Sequence, residues 1–293
     1  MTTARATLIG FGAVLLWALL ALFTAASGAV PPFLLAALSF GIGGASGAVA
    51  MVLRGDSWAV FRQPLPVWAL GIFGLFGYHF AYFTALRNAP PVEAGLIAYL
   101  WPLLIVLFSA AAGGGRLRAH HLMGALMGFA GAGLIVSRGG SFEFEAQYSF
   151  GYLVAFGAAF LWSGYSVLSG RFKGVPTAIV TGYCLVTAAL ATLCHLAFEQ
   201  TIWPADTVEW AAVIGLGLGP VGLAFFIWDI GMKHGDMRVL GAASYAAPLL
   251  STLVLIAAGE ARFTATIAIA CVLITLGAVL AAKDMIRRGR PLP

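Results

Sequence analysis

The chain has 293 residues, 61% hydrophobic and 9% charged, with a formal net charge of +5 and a mean hydropathy of +0.96. A water-soluble domain carries roughly 25% charged residues, so this sequence cannot cover itself with polar surface, and soluble enzymes and nucleic-acid binders are excluded. Its three cysteines, Cys184, Cys194 and Cys271, show no metal-type spacing, and the first two lie too far apart along one apparent helix to pair.

Long apolar runs predict ten transmembrane helices, at 7–26, 32–53, 65–86, 92–112, 119–137, 151–170, 177–198, 210–232, 240–258 and 265–284. The first run, preceded by Arg5 and ending near "TAASGA", imitates a secretory leader. The links are short and leave no room for a separate soluble domain. With the N-terminus in the cytoplasm, 13 of the 16 Lys and Arg residues fall on that side, against Arg87, Arg138 and Arg262 on the other. This bias predicts a multi-pass protein of a bacterial-type inner (cell) membrane with both termini cytoplasmic. The cluster of His120, His121, Arg116 and Arg118 reads as a solvated basic face.

"GFGAVLLW" at 10–17 returns as "AFGAAFLW" at 155–162, and "GLIAYLWPLL" at 95–104 returns as "GAASYAAPLL" at 241–250. The same spacing pairs Gly71 with Gly217, Phe80 with Phe226, Arg116 with Arg262 and Gly131 with Gly277. A near-constant offset across four helix pairs marks an internal repeat. The expected units are 1–140 (helices 1–5) and 141–293 (helices 6–10). Five helices per unit is an odd number, so the second unit enters the membrane from the opposite side. The fold class expected is therefore all-α integral membrane, with two inverted five-helix repeats around a central cavity, an arrangement recurrent in secondary transporters. The repeat also makes the first run a structural span rather than a leader. Pro102 and Pro248 are equivalent. A mid-helix proline costs about 3 kcal/mol, and a matched pair suits two hinges.

These residues resemble the drug/metabolite transporter superfamily, EamA branch. The resemblance rests on the five-plus-five arrangement, on "AYLWPLLIVLFSA" and "SYAAPLLSTLVLIAAGE", and on Glu260 with Arg262 after helix 9. The place equivalent to Glu260 in the first half reads Gly114-Gly115-Arg116, without the acid. "YLWP" at 99–102 is similar to the aromatic amino acid exporters of the YddG type. The resemblance implies export of amino acids or related metabolites from the cytoplasm, by alternating access in a ten-helix basket.

Polar and aromatic groups inside spans are the candidates for substrate contact. They are Trp17, Tyr78, His79, Tyr82, Tyr99, Trp101, Trp162, Ser163, Tyr165, Trp228, Ser244 and Tyr245. Together they predict an aromatic, weakly polar chamber suited to flat apolar side chains and ammonium groups. His79 reads either as a satisfied core group or as a hydrogen-bond partner for substrate. Asp229, four residues before Lys233, reads as half of an interfacial ion pair. Glu93 reads as a helix-start acid. The glycine pairs 43/47, 124/128 and 215/219 read as close helix contacts. There is no nucleotide-binding Gly-rich motif and no zinc-protease motif. A zwitterionic substrate is expected, moved by facilitated transport (uniport), by a monomer, with no cofactor or metal. The alternatives are a proton-coupled multidrug exporter of flat organic cations and an integral-membrane lipid-modifying enzyme.

Overall fold

The computed structural model describes residues 1–111, 117–137, 140, 145–257, 259, 262–281 and 283. Glu260, Arg116 and Arg138, and the predicted helix ends at 112, 258 and 284, lie outside the described residues. Among the described residues nine apolar helices are long enough to cross a membrane, α1 (Thr3–Ala26), α2 (Pro32–Arg54), α3 (Leu65–Asn88), α4 (Pro91–Ala110), α5 (Ala119–Val136), α6 (Ala146–Ser169), α7 (Ile179–Phe198), α8 (Thr207–His234) and α9 (Met237–Ala257), and a shorter apolar helix follows, α10 (Ala265–Ala281). Among the described residues no strand occurs, as expected where every backbone N–H and C=O must be satisfied without water.

Local chemistry sets the ends. Pro32 opens α2, where its missing N–H costs nothing, and Gly55, at φ 68°, closes it in the left-handed conformation. The Asp56 N–H then reaches back to the Met51 carbonyl at 2.9 Å. Asp206 caps α8 through the N–H groups of Val208 and Glu209, and Asp236 caps α9 through those of Arg238 and Val239. Alternating spans bring distant links to a common face. On the face that holds the start of α1, Thr7 accepts a bond from the Asp236 N–H at 2.9 Å. On the opposite face Arg87 donates to Glu199 at 2.7 Å.

The packing pattern carries the symmetry of the repeat. Several of the closest packings recur when spans in α1–α5 are exchanged with their counterparts in α6–α10. Thus α1 packs on α8 while α6 packs on α3, and α4 packs on α6 while α9 packs on α1. The self-partnered pairs α2/α7, α4/α9 and α5/α10 lie together on the pseudo-axis. Glycine lets these backbones meet. A Cβ on Gly124 would stand 2.5 Å from the Gly277 carbonyl oxygen, and one on Gly10 would stand 2.8 Å from the Gly231 Cα. The glycine faces therefore serve internal packing.

Six spans are not the simple cylinders expected. Span α4 breaks between Ala98 and Trp101, and α9 breaks between Ala243 and Ala246. Their second halves begin at Trp101 and Ala246, so Pro102 and Pro248 occupy a first helical turn, where no intrahelical N–H bond is lost. The penalty of about 3 kcal/mol for a mid-helix proline thus does not apply. Spans α3 and α8 each widen into a π-helical turn, at Phe73–Gly77 and Gly219–Leu223, again equivalent positions. In α1 a break follows Trp17, and in α6 a 3-10 turn at Ala146–Tyr148 precedes the regular helix.

Candidate functional site

The four expected tryptophans meet at one point. Trp17 ends the first segment of α1, Trp101 opens the second segment of α4, and Trp162 and Trp228 lie within α6 and α8. All six ring pairs among them are in contact. Trp17 lies 6.1 Å from Trp101, 5.7 Å from Trp162 and 5.0 Å from Trp228. Trp101 lies 6.1 Å from Trp162 and 6.0 Å from Trp228, and Trp162 and Trp228 stack at 6.2 Å. Mostly tilted and edge-to-face geometry places the positive ring edge against a neighbouring π-face, worth about 0.5–1.5 kcal/mol per pair beyond burial. At this level the centre of the bundle is filled by its own indoles.

Two of the indoles are anchored. The Trp228 Nε1–H donates to Ser166 Oγ at 3.1 Å, both groups being buried. The Trp17 Nε1–H donates to the Pro220 carbonyl at 3.0 Å. Pro220 belongs to the π turn of α8, and such a turn releases carbonyls from the regular ladder. The other half repeats this device: His79 Nδ1 is 2.7 Å from the carbonyl of Leu75, in the π turn of α3. A carbonyl can only accept, so Nδ1 carries a proton, and in the neutral ring Nε2 is then the acceptor. Its ring is packed among Phe40 at 5.0 Å, Tyr78 at 5.1 Å, Phe83 at 6.0 Å and Phe225 at 6.5 Å.

The tyrosines form a wall beside the indoles. Tyr78 and Tyr82 stack at 5.9 Å with 6° between planes, and Tyr78 touches Trp162 at 5.6 Å. Tyr99, in the break of α4, lies within electrostatic reach of both. All three are half-buried, whereas Trp228 is fully buried. The site therefore has a dense indole floor and a more open phenolic wall.

Four of the expected residues point their polar atoms elsewhere. Ser163 Oγ donates to the Ala159 carbonyl of its own helix at 2.7 Å, and Ser244 Oγ does the same to Leu240 at 2.7 Å. Tyr245 sits over Gly128 and beside Phe129, in the core between α5 and α10. Its hydroxyl accepts the Leu103 N–H at 3.1 Å, which satisfies a donor left free at the start of the second half of α4. Tyr165 touches Trp162 at 5.5 Å but lines a separate small cavity with Tyr183, Asp229 and Lys233. Ser166 stands near Trp162 in the sequence, with Ser163 and Tyr165, and it is the one of the three that holds an indole N–H. Its signal was available, because Ser166 is four residues from Trp162 and shares its helix face. The long-range acceptor at Pro220 had no such signal.

Asp229 and Lys233 do form an ion pair, at 2.8 Å, but with side chains only 2% and 3% exposed it is buried in protein rather than solvated. Glu93 does lie in the first turn of α4. Among the described residues no group of His, Cys, Asp and Glu is arranged to hold a metal ion.

The model of one family matches the chain twice, over residues 4–137 and again over 149–283. The chain belongs to the EamA-like transporter family. It is a multi-pass membrane transporter of the drug/metabolite transporter superfamily, not an enzyme. Its relatives include an aromatic amino acid exporter YddG from Ancylobacter novellus, 59% identical over 282 residues that make up 96% of this chain and 98% of that one. An aromatic amino acid exporter YddG from Escherichia coli K12 is 23% identical over 270 residues, 86% of this chain and 88% of that one. A solved structure, described only as the crystal structure of a protein, is 57% identical, covers 99% of this EamA chain and 100% of its own, and superposes with a TM-score of 0.93.

Proposed function

We propose that this EamA transporter exports aromatic and other apolar amino acids, with related metabolites, from the cytoplasm by alternating access. The observation that carries the reading is the group of four mutually touching indoles bordered by Tyr78, Tyr82 and Tyr99. Such a surface takes up a flat apolar side chain by exchanging ring–ring contacts among its own members for contacts with the substrate. The names of the relatives support the same substrate class. His79, through Nε2, offers the substrate a hydrogen-bond acceptor beside the indoles. Pro102 and Pro248 are the hinges, each at the start of a half-helix that can tilt without breaking a backbone bond. The protein works as a monomer in a bacterial-type inner membrane with both termini in the cytoplasm, in keeping with the charge bias of its links.

Transport is facilitated rather than ion-coupled. Asp229, a buried carboxylate next to the indoles, is already neutralised by Lys233, and an amino acid accumulated in the cell leaves downhill without a coupling ion. The test is uptake of labelled phenylalanine, tryptophan, methionine and threonine into liposomes containing the pure protein, with and without a pH gradient. The reading expects phenylalanine and tryptophan to move fastest, at rates the gradient does not change. Gradient-driven accumulation overturns the facilitator reading. Flux of flat organic cations in place of amino acids overturns the substrate class. Trp101→Ala is expected to cut flux at least tenfold with folded protein retained, and normal flux in that variant would displace the site.

A further inference from the structure

The charge pair beside the indoles has more partners than a packing contact needs. Asp229 Oδ2 accepts from Lys233 Nζ at 2.8 Å and from Thr177 Oγ1 at 2.6 Å, and Nζ also donates to the Val175 carbonyl at 2.9 Å. The pair borders a cavity of about 10 Å³, room for about one water, together with Tyr165 and Tyr183. The Tyr165 hydroxyl is buried there without a hydrogen-bond partner among the described residues. Two charges in so dry a place carry a desolvation penalty that an apolar pair of the same volume would not, and an intramembrane charge is by default a functional group.

Position makes the function specific. Asp229 follows Trp228 directly in the chain, and the ring of Tyr165 touches Trp162, so the charge pair adjoins the indole floor. On its other side Val175 leads into Pro176, which with Asp56, Ser57 and Gln63 lines an open groove of about 400 Å³ at the face holding the start of α1. Asp229 and Lys233 thus lie between that groove and the indoles, where a solute moving from one to the other would meet them. An amino acid on this path carries an ammonium and a carboxylate about one hydrogen bond apart, the charge arrangement the pair presents to itself.

We infer that Asp229 and Lys233 form the recognition site for the zwitterionic backbone of the substrate on the cytoplasmic side of the indoles. The substrate ammonium takes the place of Lys233 Nζ on the Asp229 carboxylate, and the substrate carboxylate takes the place of Asp229 on Lys233. The Tyr165 hydroxyl supplies a further bond. In the absence of substrate the two side chains satisfy each other and seal the path. The inference rests on the amino acid export reading above.

The experiment uses inside-out and right-side-out membrane vesicles, which offer substrate to opposite faces. The probes are phenylalanine, phenethylamine, which lacks the carboxylate, and 3-phenylpropionate, which lacks the ammonium. At the cytoplasmic face the unaltered protein is expected to favour phenylalanine over either analogue at least tenfold in kcat/KM. Lys233→Gln is expected to abolish the preference over phenethylamine, and Asp229→Asn the preference over 3-phenylpropionate. Asp229→Asn/Lys233→Gln, which leaves no unpaired charge to unfold the protein, is expected to lose both preferences. KM at the opposite face should change less than twofold. If the variants alter all three compounds by one common factor, the pair is a seal and the recognition inference falls alone. If the unaltered protein moves no phenylalanine from either face, the export reading falls and this inference with it.

Discussion

Two serines three residues apart on α6 separate a structural hydroxyl from one that serves the site. Ser163 only returns a bond to its own helix, so Ser163→Ala should shift stability by less than about 0.5 kcal/mol. Ser166 holds Trp228 Nε1, and Ser166→Ala leaves a fully buried donor without a partner, at a cost of about 1–3 kcal/mol. Thermal unfolding in detergent checks both, and equal effects would contradict the assignment. His79 allows a similar separation. Asparagine retains a short donor for the Leu75 carbonyl but has no counterpart of Nε2. His79→Asn is therefore expected to keep the melting temperature of the parent and lose most of its flux. Full flux in that variant would reduce His79 to a brace for the π turn. The aromatic candidates were legible in sequence because tryptophans and tyrosines deep in a span are few. The aim of each hydroxyl was not, because a serine in a helix can serve its own carbonyl or a neighbour, and only the neighbour's position decides.

At the scale of the element, the break in α4 and its equivalent in α9 depend on contacts between them. Gly241 allows α9 so near the Pro102 carbonyl that a Cβ would stand 2.9 Å from it, and Tyr245 caps the second half of α4. Tyr245→Phe is expected to destabilise by about 1–3 kcal/mol by orphaning the Leu103 N–H, and to leave the order of substrate preference unchanged. Pro102→Ala/Pro248→Ala restores two N–H groups and allows helix to run through the breaks. Slower flux with unchanged or higher thermal stability is the expected outcome, and unchanged flux would remove the hinge role. The sequence marked both breaks by their prolines but placed them as kinks within helices. The π turns carried only glycine-rich stretches, "FGLFG" and "GPVGL", as a mark. An extra residue in a helical turn has no periodicity of its own, and the donors that hold its carbonyls, Trp17 on Pro220 and His79 on Leu75, are set by tertiary packing.

Across the whole molecule, a single carboxylate joins the two repeats on the face opposite the start of α1. Pro31 and Pro32 open α2 without a capping side chain, and Glu199, at the end of α7, takes that part. It accepts from the N–H groups of Phe33 at 3.1 Å and Leu34 at 3.2 Å, from Arg87 at 2.7 Å, and contacts His195 Nδ1 at 3.0 Å. Glu199→Ala should cost about 2–4 kcal/mol by leaving the helix start uncapped, and Glu199→Gln, which keeps an acceptor, clearly less. Arg87, being 44% exposed, contributes little through its charge, so Arg87→Ala should matter least of the three. A melting-temperature series tests the ranking. The repeat foretold that α2 and α7 are counterparts. It did not foretell that each would choose the other as neighbour, because self-similarity fixes equivalence and not contact.

The gathering of half of the eight tryptophans within contact distance gives this transporter an optical signature. Indoles so close share excitation, which should appear as an exciton couplet in the ultraviolet circular dichroism and as depolarised emission. A solute that parts the rings should weaken both signals. Loading and release can therefore be followed in the unlabelled protein, without a fluorophore added and without waiting for net flux.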